Sequence, residues 1–208
     1  MKTKEFWSEE VTAPSWKRLL EIAKEFDFIL IGGWAAYLWT RAHKSKDIDI
    51  VIDYATLDSL RNRFSLVKNE RLRKYEIKEG QFDIDIYVSH YSKLAVPIET
   101  LSKHTTKIEG IKTVTSEMLV ILKQGAEIER RASIKGRKDA IDILLLLICS
   151  GFDIKKYRTL LRECGLVHFE KELDGVVRRF SGSDLGYLGI DHQRFVKWKK
   201  GFLAKLAG

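Results

Sequence analysis

The clearest pattern along the chain is strict alternation in KSKDIDIVID, residues 44–53. Ile48, Ile50 and Ile52 fall on one side, and Asp47, Asp49, Val51 and Asp53 on the other. That is the period of a strand with one buried and one polar face. Upstream, the apolar run FDFILI (26–31) reads as a short strand ended by Gly32-Gly33, with WAAYLWTRA (34–42) a helix directly after the glycines. Trp16, Leu19, Leu20 and Ala23 recur at helical spacing and predict an amphipathic helix over 15–26. A helix is expected around 56–64, then strands at 72–78 and 82–88 joined by a hairpin-type turn at Glu79-Gly80. A polar loop containing Pro97 follows.

From Ser116 the period changes to that of helices, expected at 116–132, 137–150, 153–163, 168–179 and 190–206. The leucine run of the second marks it as central to a helical core, and Cys149 at its end reads as a small buried thiol. On the last helix Phe195, Trp198, Phe202 and Leu206 form a core stripe. Arg194, Lys197, Lys199, Lys200 and Lys205 read as a solvated face ahead of an RNA-backbone contact. No internal repeat is visible. The expected fold is α/β (α+β): a mixed sheet with helices over residues 1–114, then an all-helical domain over 115–208.

Composition narrows this only slightly. With 208 residues, 45% hydrophobic and 32% charged, the chain suits one large or two small globular domains. The longest apolar run, Ile143 to Cys149, is too short for a bilayer, so no membrane partner is expected. The opening MKTKEFWSEE has charges of both signs and no apolar centre, which predicts a cytoplasmic protein without a secretory signal. Cys149 and Cys164 have neither zinc nor CxxC spacing. A chain poor in Asn, Gln, Met and Cys and rich in Lys, Glu and Ile suits a thermophile. The net charge of +8 is uneven: 19 basic against 17 acidic residues in 1–114, and 18 against 12 in 115–208. The excess on the helical half points to an anionic partner, polyphosphate or nucleic acid, with a plain solvated surface as the competing reading.

The polar strand face offers chemistry. Two residues apart on a strand, Asp47 and Asp49 point the same way and can bridge two hard cations, which prefer carboxylates on a rigid element. Asp83 and Asp85 share a face of FDIDIYV and offer a third ligand, and alternation alone does not choose between them. Gly32-Gly33 between strand and helix supplies a phosphate cradle, since glycine permits close approach and a helix start presents free N–H groups. Lys44, Ser45 and Lys46 stand just before the aspartates, within reach of phosphates. The bland alternative for each piece is a common turn or a solvated strand face.

Taken together, GGWAAYLWTRAHKSKDIDIVID resembles the signature of the DNA polymerase beta superfamily of nucleotidyltransferases: Gly-Gly or Gly-Ser, a helix, then a DxD strand. Its form is similar to the antibiotic nucleotidyltransferase and abortive-infection toxin branches. The segment VTSEMLVILKQGAEIERRASIKGRKDAIDILLLL resembles the toxin branch, with Glu117, Leu119, Lys123, Ala126, Arg130 or Arg131, Lys138, Asp139 and Asp142 at the pattern positions. The resemblance spans about residues 28–150. It implies a polymerase beta-like mixed sheet and a helical domain closing a nucleotide cleft. It also implies two Mg²⁺ (or Mn²⁺) ions on Asp47, Asp49 and a third carboxylate that takes the nucleophile's proton. Asp85 is preferred for that role, since DIYV continues as the family's third motif does, with Asp83 as rival. Lys123 would contact the triphosphate with Arg130 lining the same cleft, and Asp139 and Asp142 would orient Lys123, an arginine or the nucleotide. Exposed helix ion pairs are the competing reading for those two aspartates.

The resemblance departs from pattern in two respects. Gly33 replaces a frequent Ser, and Trp34 and Trp39 are large for a helix that approaches a nucleotide. The implied reaction moves a nucleoside monophosphate from an NTP to a hydroxyl on RNA, protein or a small molecule, with an antitoxin as a further partner. A silent binding module and a DxD glycosyltransferase are the alternatives.

Overall fold

The computed structural model describes residues 4–180 and 182–208. Two units separate along the chain: one runs from Trp7 to Thr115, and the other takes Ser116–Gly208 with residues 4–6.

The first unit runs α1 (Glu9–Glu25), β1 (Ile29–Ile31), α2 (Gly32–Thr40), β2 (Ile48–Val51), α3 (Tyr54–Arg61), β3 (Leu66–Asn69) and β4 (Lys74–Lys78). It continues with β5 (Asp83–Tyr87), α4 (Ile98–Leu101), β6 (Thr105–Ile108) and β7 (Ile111–Val114). The strands form one mixed sheet in the order β3-β4-β5-β2-β1-β7-β6. β2 runs parallel to β5 and β1 to β7, while every other pairing is antiparallel. Leu30, Ile48, Ile50, Ile84 and Ile86 are fully buried, so the isoleucines that alternate with the aspartates supply the apolar side of the central strands. Trp34 is core: its ring lies 4.8 Å from that of Trp16, and its indole N–H donates to Ser15 Oγ at 2.7 Å. A buried indole needs such an acceptor, and this one ties α2 to α1.

Several boundaries differ from the sequence reading. α1 begins at Glu9 and carries Pro14 inside it. Proline there forfeits one backbone N–H, but Thr12 and Ser15 are buried and anchor the early turns. β2 is confined to four residues, and Asp53 leaves the strand's polar face to cap α3, accepting from the Thr56 N–H at 2.7 Å. β3, β6 and β7 lie where no strand was expected. β6 and β7 form a two-residue hairpin through Glu109 and Gly110, both with positive φ (50° and 81°). That left-handed pair matches the right-handed twist of the flanking strands.

The second unit comprises α5 (Ser116–Arg130), α6 (Ile134–Cys149), α7 (Ile154–Glu163), α8 (Phe169–Arg179), a 3-10 turn (Gly182–Asp184), α9 (Leu185–Leu188) and α10 (His192–Ala207). Met118, Leu119 and Ile121 of α5 and Ile141, Ile143 and Leu144 of α6 are wholly buried. Phe195, Trp198 and Phe202 stack in sequence along α10, ring centroids 5.8 and 5.3 Å apart. Phe195, Phe202 and Leu206 of the apolar stripe are buried and Trp198 is half-buried. Cys149 is exposed rather than buried, because α6 ends there and its last turn leaves the packed leucines behind. Among the described residues no helix is long and apolar enough to cross a membrane.

Candidate functional site

β1 passes into α2 with no intervening residue, and Gly32 makes that turn at φ +69°. A Cβ on Gly32 would stand 2.6 Å from the Asp49 carboxyl carbon and 2.8 Å from its Cβ. Glycine is thus required twice, for a left-handed backbone and for space. The two sequence motifs are one object: the helix start rests against the aspartate that Ile31 faces across the β1–β2 ladder.

Asp49 is paired in register with Asp85 on parallel β5, and Asp85 is paired with Glu76 on antiparallel β4. Residues directly opposed on adjacent strands share a face, so Asp49, Asp85 and Glu76 form a row of three carboxylates across three strands. Asp47 stands just before β2 and accepts from the Asp83 N–H at 3.3 Å. The Tyr87 hydroxyl donates to Asp49 Oδ1 at 3.4 Å. The Asp83 side chain is 36% exposed, its carboxylate 2.9 Å from Lys78 Nζ, whereas the Asp85 side chain is only 13% exposed.

Two lysines of β4 enter this row. Lys74 Nζ lies 2.5 Å from Asp85 Oδ2 and 3.1 Å from Glu76 Oε1, and Lys78 Nζ lies 3.0 Å from Glu76 Oε2. Burial pushes the Asp85 pKa up, and although Lys74 opposes this, the charges of Asp47 and Glu76 add to it and the net shift is upward. For Glu76 burial acts the same way, but hydrogen bonds from Lys78, Lys74 and Asn69 outweigh it and bring the pKa down to about 2. Glu76 and Lys74 were not among the residues singled out in the sequence. Their signal lay in the alternation of KYEIK combined with the hairpin turn at Glu79-Gly80.

Of the residues before the DxD, the Ser45 hydroxyl donates to the Asp47 carbonyl at 3.1 Å, closing the turn that leads into β2. Lys44 Nζ is held by Glu9 at 2.5 Å, and Lys46 is half-buried. Gly33 lies buried within the first turn of α2.

The remaining predicted residues belong to the helical unit and form a network of their own. Lys123 Nζ lies 3.0 Å from Asp139 Oδ1 and 2.7 Å from Asp142 Oδ2. Lys138 Nζ lies 2.9 Å from Asp142, and Arg130 reaches Asp139 at 2.7 Å. Lys123, Lys138, Asp139 and Asp142 are all buried, so the exposed-ion-pair reading of the two aspartates does not hold. Burial works against the charge on Lys123, but Asp142 and Asp139 outweigh it and hold its pKa above the usual lysine value. At Lys138 burial prevails and the pKa falls. Asp142 is driven up by burial, yet Lys123 and Lys138 together bring it below the ordinary carboxylate value.

The donor set suits a hard divalent ion such as Mg²⁺ or Mn²⁺, which takes carboxylate oxygens. One oxygen, Asp85 Oδ1, is buried and accepts no hydrogen bond, an arrangement that a cation would compensate. Among the described residues no three acidic, histidine or cysteine side chains already converge as a ligand shell, and the cation that neutralises Asp85 is Lys74.

No family model matches the chain, and no curated protein matches it. Solved structures similar to it at low identity include the following two. An antigenic nucleotidyltransferase-like protein from Paracoccidioides brasiliensis shares 15% identity over 80% of this chain and 93% of its own, with a TM-score of 0.43. The Helicobacter pylori protein JHP933 shares 16% identity over 96% of this chain and 97% of its own, with a TM-score of 0.47.

Proposed function

We propose that this chain is a metal-dependent nucleotidyltransferase, moving a nucleoside monophosphate from an NTP to an acceptor hydroxyl with release of pyrophosphate. The observation that supports this best is the Asp49–Asp85 pair, registered across parallel strands, with the Gly32 helix start packed against Asp49. On this reading Asp47, Asp49 and Asp85 hold Mg²⁺ or Mn²⁺. When bound, such ions draw charge from the α-phosphate and leaving pyrophosphate and make the acceptor hydroxyl a better nucleophile.

The protein's own residues position the reactants. The Gly32 and Gly33 amides at the start of α2 face a phosphate with the positive end of the helix. Asp85 is favoured over Asp83 as third ligand because it is registered with Asp49 and more buried, while Asp83 is half-exposed and paired with Lys78. In the helical unit Asp139 and Asp142 orient Lys123, and Arg130, whose side chain is 43% exposed, keeps surface for a phosphate. The competing reading, a catalytically silent binding module, is favoured by the Lys74 ammonium seated on Asp85.

The test is incubation with each α-labelled NTP, Mg²⁺, and total RNA or a small-molecule panel. Transfer of label to an acceptor, lost in Asp49→Asn, is the expected result. Label staying with the nucleotide in every mixture, with Mn²⁺ unbound, sinks the enzyme reading.

A further inference from the structure

We propose that Lys74 is a built-in counter-cation which a divalent ion must displace from Asp85, with Glu76 retaining the released ammonium. This rests on Asp47, Asp49 and Asp85 being the metal site, and it adds how loading of that site is controlled.

Geometry carries the idea. Lys74 is buried, and its Nζ sits between two carboxylates, 2.5 Å from Asp85 and 3.1 Å from Glu76. Lys74 holds Asp85 Oδ2, and Oδ1 of the same carboxylate has no hydrogen-bond partner. A divalent ion that takes Asp85 through Oδ1 or through both oxygens meets the like charge of the ammonium across a single carboxylate, and this repulsion drives Lys74 off. Lysine carries its charge on a flexible four-carbon stem, so a short swing leaves Asp85 while keeping Glu76. Glu76 is fixed as the receiving group, since Asn69 Nδ2 donates to it at 2.9 Å and Lys78 approaches at 3.0 Å. Charge balance allows both cations. Asp83, Asp85 and Glu76 contact Lys74 or Lys78, and Asp47 and Asp49 stand beside Asp83 and Asp85, so this group sets five carboxylates against two ammoniums, a net of −3. An added divalent ion leaves −1, with Lys74 still in place beside Glu76.

The second lysine provides the control. Lys78 carries the same charge into the same row, but its side chain is 53% exposed and it touches Asp83 and Glu76 rather than Asp85. Its influence is that of a screened surface charge. Mn²⁺ binding to the purified full chain, read by the loss of free-ion paramagnetic resonance signal at fixed pH and salt, separates the two roles. Lys74→Gln should bind Mn²⁺ about tenfold more tightly than wild type, while Lys78→Gln should gain about twofold or less. Lys74→Met serves as a second variant of similar length, with circular dichroism confirming the fold of each. Displacement is overturned if wild type binds Mn²⁺ and the Lys74 variants bind equally or more weakly, or gain no more than Lys78→Gln. If no form binds Mn²⁺, the metal reading falls and displacement falls with it.

Discussion

Gly32→Ala puts the link between the helix start and the aspartate row to a quantitative test. Two costs add. An L-residue at φ +69° leaves the favoured backbone regions, a penalty of roughly 1–2 kcal/mol. The new Cβ would also lie 2.6 Å from the Asp49 carboxyl carbon, so Asp49 must leave its rotamer or β2 must shift, at about 0.5–1.5 kcal/mol. Together these amount to roughly 1.5–3.5 kcal/mol, a sizeable share of the roughly 5–15 kcal/mol that typically holds a domain folded. Gly80 supplies the reference, because it has nearly the same φ (+73°) but nothing within 4 Å of its would-be Cβ. Gly80→Ala carries the backbone cost alone. Urea denaturation followed by fluorescence of buried Trp34 should place Gly32→Ala below Gly80→Ala by about 1 kcal/mol. Mn²⁺ affinity should drop in the first variant only, since only there is Asp49 pushed aside. Equal destabilisation of the two variants, with Mn²⁺ affinity unchanged, would refute the claim that Gly32 is glycine on account of Asp49.

Other outcomes follow from the same geometry. Asp47→Asn and Asp49→Asn should each abolish nucleotidyl transfer with the urea midpoint nearly unchanged, the loss falling on turnover. Asp85→Asn should cost nearly as much and Asp83→Asn far less; a dead Asp83→Asn beside an active Asp85→Asn would move the third ligand one pleat along β5. Asp142→Ala removes the ion partner of buried Lys138 and leaves Lys123 with Asp139 alone, and should cost about 3–5 kcal/mol, whereas a loss under about 1 kcal/mol would mean that water reaches the Lys138 ammonium. The Glu76 carboxyl falls from 4.5 to about 2 on folding. Its contribution is therefore fully present above pH 4.5 and is lost as the pH drops toward 2. The difference between wild type and Glu76→Gln isolates it, and a difference that stays constant from pH 6 to pH 3 would contradict the assignment.

Much of the first unit's centre could be read from residue order alone. Alternation placed Asp47 and Asp49 on one face, and the glycine pair marked an abrupt strand-to-helix turn, because both are local signals. The partners of Asp85 are a different matter. Glu76 and Lys74 become neighbours of the row only once β4 is known to pair with β5, though a hairpin at Glu79-Gly80 already implies that Lys78 meets Asp83 and Glu76 meets Asp85. The edge strands β3 and β6 gave no alternation to read, since their residues are exposed or half-exposed on both faces. The Glu109-Gly110 turn was hidden because a glutamate stands where Asn or Asp usually signals a left-handed pair. In the helical unit the spacing of Lys123, Asp139 and Asp142 was visible, but their burial was not: charged residues at helical spacing look alike whether they face water or one another.

The parallel pairing of β1 with β7 sets a timetable for synthesis. Leu30 and Thr113, joined by the Thr113 hydroxyl donating to the Leu30 carbonyl, lie 83 residues apart in the chain. At a ribosomal pace of 5–20 residues per second, β1 waits roughly 4–17 s for that neighbour. Throughout that interval three buried aliphatic side chains, Ile29, Leu30 and Ile31, lack a flanking strand on one edge. This is the stretch of the newborn polypeptide on which a holdase chaperone, or a second nascent copy, has the longest opportunity to act.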